Sequence, residues 1–142
     1  GGVVKASDQS QIAPLVVASG LATDGETLWA ADRATGQVWQ IDFEGGDAQA
    51  PVEVASGLMS PEGLAFEKEG YLVVIESGAT QLSRIELATG EVTTLFENLE
   101  LGPEALEGFP PTLWLDGVAV GPSGDIYASG WGANVLYRVT EE

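Results

Sequence analysis

The chain has 142 residues, 44% of them hydrophobic, and sets 22 acidic against five basic side chains for a formal net charge of −17. That is enough apolar material for one domain with its own core, while the charge repels phosphate backbones and anionic membrane surfaces and so argues against nucleic-acid and membrane partners. The sequence holds no cysteine and no histidine, which excludes disulfides, thiolate or imidazole metal ligands, a Cys nucleophile and a Ser-His-Asp triad.

In chain order, the opening stretch GGVVKASDQSQ lacks the basic-then-apolar pattern of a secretory signal and reads as a processed end or an added remnant. VASGL then occurs at 17–21 and again at 54–58. Three longer segments also align: LWAADRATGQVWQI (28–41), LVVIESGATQLSRI (72–85) and IYASGWGANVLYRV (126–139). Each is an apolar run, a polar glycine-containing turn and a short alternating segment, and their starts lie 44 and 54 residues apart (72−28 and 126−72). Val, Ile, Leu, Trp and Tyr dominate the runs, which predicts strands. GLAFEKEGYLVVIE and GVAVGPSGDIYAS each give two strands around a Gly-bearing turn, and QLSRIEL-ATGE-VTTLF gives another hairpin. The unit is therefore four antiparallel strands in about 45 residues, which is the arithmetic of a propeller blade. No helical period emerges; GPEALEG (102–108) suits at most one turn.

SPEGLAFEKEGYLVV, LDGVAVGPSGDIYAS and LWAADRATGQVWQID resemble the blades of the NHL-repeat and gluconolactonase/regucalcin-like six-bladed propeller superfamily. The resemblance covers the chain from about residue 15 and is specific for the blade type rather than for one activity. The expected fold is all-β: about three four-stranded antiparallel blades, at 15–52, 53–98 and 112–142, forming half of a six-bladed ring. ELGPEALEGFPPT (100–112) is an insertion loop. The first copy is shortened, so VVASGLA serves as its inner strand. The last copy ends without a fourth strand, and GGVVKA is a candidate for that strand, in this chain or in a neighbour. Open blade faces are a liability for a lone soluble chain. The expected remedies are a homodimer of two half-rings, another propeller fragment, or further blades of a longer chain.

Glu62 and Asp116 each precede the glycine that starts an inner strand; Ser19 holds that place in the first copy. Asp32 and Glu76 end the second strands. In a blade these positions open on one face, which makes Glu62 and Asp116 candidate metal ligands and Asp32 and Glu76 candidate bases or supporting groups. Hard cations such as Ca²⁺ draw their oxygen ligands from converging carboxylates. The family resemblance implies a divalent metal, Ca²⁺ or another, at the position before this glycine. The family also uses an Asn at such a position, and no Asn-Gly pair occurs here. The competing reading of each acid is local turn chemistry. Phe109, Trp114 and Trp131 are candidate ligand-face loop residues. Two functions remain: a non-catalytic propeller module that self-assembles and presents an acidic channel face, or a divalent-metal-dependent hydrolase of small lactones or phosphoesters.

Overall fold

A computed structural model describes residues 1–68, 70–101, 116–131 and 134–140, and no helix occurs among them. A short hairpin comes first, β1 (Val3–Val4) with β2 (Gln11–Ala13). Blade 1 follows as β3 (Ala18–Thr23), β4 (Leu28–Asp32) and β5 (Gln37–Ile41). A small hairpin of β6 (Phe43–Glu44) and β7 (Asp47–Ala48) projects before the fourth strand, β8 (Val52–Ala55). Blade 2 is β9 (Pro61–Lys68), β10 (Tyr71–Glu76), β11 (Gln81–Glu86) and β12 (Val92–Phe96); blade 3 is β13 (Val118–Val120), β14 (Ile126–Gly130) and β15 (Val135–Val139). Each blade is an antiparallel meander with strands in chain order, as the repeat predicts.

The unbroken apolar run of β10 has a physical cause. A half-exposed strand alternates in polarity, but LVVIE is buried at every residue because blade 2 has neighbours on both faces. On one side Leu64, Phe66, Leu72, Val74 and Ile85 pack against Ala22, Trp29, Ala31 and Val38 of blade 1. Trp29 and Phe66 stack across that joint with centroids 5.6 Å apart. On the other side Val73, Ile75 and Leu82 meet Val118, Ile126 and Ala128 of blade 3. Each of the larger buried side chains contributes about 1.5–3 kcal/mol.

Two expectations change. The N-terminal segment does not complete blade 3 within this chain: β1 pairs with β2, and the hairpin with Leu15 packs on the outward face of blade 1 against Leu28, Ala30, Trp39 and Ile41. Apolar cover for an exposed blade face outweighs a two-residue strand pairing at a distant edge. The expected limit of blade 1 at residue 52 also falls inside β8, which pairs with β5 through Ala55. The β6–β7 hairpin displaces that fourth strand toward the next repeat.

The glycines that start the inner strands are set by close approach. A Cβ on Gly20 would lie 2.2 Å from the Glu62 carbonyl oxygen, and one on Gly63 would lie 2.8 Å from the Val118 nitrogen. Neighbouring inner strands thus meet backbone to backbone.

Candidate functional site

Ser19, Glu62 and Asp116 stand in one row across the three inner strands. With the glycines that follow them they line a groove of about 430 Å³. The row is knitted together. Ser19 Oγ donates to the Pro61 carbonyl at 2.7 Å, with the Ala31 carbonyl 3.2 Å away. Glu62 Oε2 accepts the Asp116 N–H at 3.2 Å, and Oε1 accepts from Arg33 Nε at 3.0 Å and Ser77 Oγ at 3.1 Å. Glu62 is therefore a buried carboxylate with bonds into all three blades.

Asp116 differs. Its Oδ1 accepts the Trp131 N–H at 3.0 Å, while the buried Oδ2 has no hydrogen-bond partner among the described residues. Burial, aided by the nearby Glu62 charge and opposed by the Trp131 N–H, pushes its carboxyl up to about 6.

Asp32 and Glu76 do not join this row. Asp32 turns back into its own blade: Oδ2 accepts the Val16 N–H at 2.7 Å, and Oδ1 accepts those of Val17 and Ala34, each at 3.1 Å. Burial works against its charge, but backbone N–H groups from Val16, Val17, Ala34 and Thr35 prevail and hold its carboxyl below the usual range. Glu76 Oε2 accepts the Met59 N–H at 2.8 Å, and Oε1 takes Gln81 Nε2 at 2.8 Å and Ser83 Oγ at 2.6 Å. Both acids latch the chain that leads into the inner strand to the end of the second strand. In blade 3 the corresponding residue is Gly130, where the Glu100 carbonyl comes too close for any side chain.

The expected convergence of four carboxylates is thus replaced by a pair, Glu62 and Asp116. No group of three or more acids suited to a metal occurs among the described residues. Phe109, Trp114 and the 100–112 loop beyond Leu101 lie outside the described residues. Trp131 donates its backbone N–H to Asp116 and is 61% exposed. Arg33 and Ser77 were not foreseen as partners of Glu62. The available signal was positional, since each directly follows a second-strand acid, in Asp32-Arg33 and Glu76-Ser77.

No protein-family model and no curated protein matches the chain. Solved structures do. A gluconolactonase from Xanthomonas campestris superposes with a TM-score of 0.64 at 18% identity, covering 92% of this chain and 41% of that one. The chain carries a gluconolactonase-like β-propeller fold. Virginiamycin B lyase from Staphylococcus aureus gives 0.61 at 22% identity, over 87% of this chain and 38% of the lyase. A propeller in a nidogen/laminin complex gives 0.62 at 18% identity, over 85% and 42%. The chain spans less than half the length of each of these structures. At such identities the likeness shows the fold alone, and that fold occurs in a gluconolactonase, a lyase and a nidogen/laminin complex alike.

Proposed function

We propose that this chain is a propeller binding module that presents the Ser19–Glu62–Asp116 groove to a small ligand rich in positive charge or hydrogen-bond donors. It acts within a ring completed by other blades. The observation that carries this reading is the meeting of two buried carboxylates from successive inner strands in one groove. Such a groove favours donors and cations and rejects anions.

The alternative, a divalent-metal-dependent hydrolase of small lactones or phosphoesters, draws support from the free Asp116 Oδ2 and from the gluconolactonase likeness. The fit to a resident ion is incomplete. Both Glu62 oxygens are already engaged, one by the Arg33 cation, whereas Ca²⁺ takes six to eight oxygens. The described residues do not supply that shell, so the hydrolase reading needs ligands from elsewhere.

Calorimetric titration with Ca²⁺, paired with a sugar-lactone turnover assay, separates the two. The binding reading expects Ca²⁺ to bind weakly, as a charge held by the carboxylate pair without a complete ligand shell, Asp116→Ala to abolish that binding, and no turnover. Turnover lost in Asp116→Ala would replace it with the hydrolase. A chain indifferent to Ca²⁺, with unchanged Tm, would remove the cationic form of both.

A further inference from the structure

Blade 3 is open at three register positions where blades 1 and 2 are closed. Val38 and Leu82 occupy the third-strand position that faces the following blade, and both are fully buried; Leu136, in the same place, is 72% exposed. Next, each inner strand is tied to the following one through the residue before its glycine. Ser19 reaches Pro61 and Glu62 reaches Asp116, but Asp116 Oδ2 is buried with no hydrogen-bond partner among the described residues. Finally, β15 has no fourth strand among the described residues, where β5 pairs with β8 and β11 with β12.

The complementary half of such a joint exists in this same chain. Leu28, Ala30 and Ile41 of blade 1 hold the register places of Leu72, Val74 and Ile85, which receive blade 1 on blade 2. Among the described residues, that blade 1 face is covered by the β1–β2 hairpin and Leu15, with Ala48 of β7 at its side. The hairpin's own ladder is two residue pairs with a register shift between them, so displacing it breaks few strand bonds, though it gives up the buried Ala13.

We propose that the open face of blade 3 docks on blade 1 of a second copy of this chain, displacing that copy's β1–β2 hairpin, and that Asp116 Oδ2 accepts a backbone N–H from the second copy's β3. Two such joints about a two-fold axis close six blades into a ring with no open face. The inference does not rest on the ligand reading, but it shares Asp116 with it, because an Oδ2 bonded to the second copy is not available to a ligand. Each copy carries a net charge of −17, so the joint works against repulsion, and added salt strengthens it.

Light scattering tests this on the whole chain across a wide concentration range at low and high salt. The expected mass is near twice the 14.8 kDa of one chain, with the dimer favoured by salt. Leu136→Glu alters a side chain that is exposed in the single chain, so it leaves far-UV circular dichroism unchanged while reducing the mass to that of one chain. Met59→Glu, at an exposed site off the joint, keeps the dimer. Removing residues 1–13 uncovers blade 1 and tightens association by about tenfold or more, the effect of losing a weakly held cover. A dimer indifferent to Leu136→Glu overturns the proposal. So does a wild-type chain that stays at single-chain mass at high salt and high concentration, whether or not the shortened chain folds; blades other than a second copy's would then be the occupant. A single-chain mass with Ca²⁺ bound sinks the joint and spares the ligand reading, and a dimer without ligand binding does the reverse.

Discussion

Blades 2 and 3 share one strand register and differ in what covers them. In blade 2 every residue of LVVIE is buried, because joints close both faces. In blade 3 the equivalent IYASG alternates between buried and half-buried residues, and β15 alternates between half-buried and exposed ones. The apolar positions are present in both. Closure of a blade is therefore a property of its neighbours, written into its sequence in advance. The same contrast separates Glu62, which is bonded on both oxygens, from Asp116, which is bonded on one.

Paired substitutions at equivalent positions sharpen the contrast. The largest effect is expected at the core leucines. Leu82→Ala leaves a cavity under two packed blades and costs about 3 kcal/mol in urea unfolding, whereas Leu136→Ala costs the single chain less than about 0.5 kcal/mol. Equal losses would mean that the registers are not equivalent.

The arginines come next. Arg84 holds the buried Glu67 in a two-pronged ion pair, and Arg138, in the same register place, pairs with Asp125 at 2.7 Å in the open. Arg84→Ala strands a buried carboxylate and is expected to cost about 2–3 kcal/mol, whereas Arg138→Ala is expected to leave the unfolding midpoint essentially unchanged.

A smaller effect, with a definite pH signature, is expected at Asp116. Its carboxyl is raised from 3.8 to about 6 in the folded chain, so the folded state holds the proton more tightly than the unfolded one. The associated stability is present below about pH 4 and is lost as pH rises through about 6. Asp116→Asn keeps an acceptor for the Trp131 N–H and removes the charge. It should therefore raise Tm by a few degrees at pH 7, on the order of 1 kcal/mol once the solvent in the groove is allowed for, and change little at pH 4. The same gain at both pH values would place the cause elsewhere.

Much of this was legible from residue order. The alternation and turn glycines of GLAFEKEGYLVVIE and GVAVGPSGDIYAS located the β9–β10 and β13–β14 hairpins, with Gly70 and Gly124 at φ +85° and +89°. The β6–β7 hairpin was missed although EGGD carried its signal, two consecutive glycines that both take positive φ. The β1–β2 pair was illegible because strands of two and three residues show no period. For the site, the row of residues before the inner-strand glycines was readable, since repeat spacing fixes which strand each occupies. Which acids face the groove was not. Asp32 and Glu76 turn inward because unpaired backbone N–H groups of Val16, Val17 and Met59 need acceptors, and that demand arises only once the chain is folded.

A crystal structure of the chain at neutral pH addresses the contrast most directly. It is expected to show Leu136 buried on the Leu28–Ile41 face of a second copy, with that copy's inner-strand N–H within hydrogen-bond distance of Asp116 Oδ2. A structure in which Leu136 meets only solvent, Oδ2 meets only water, and β1–β2 stays seated on every first blade would contradict it.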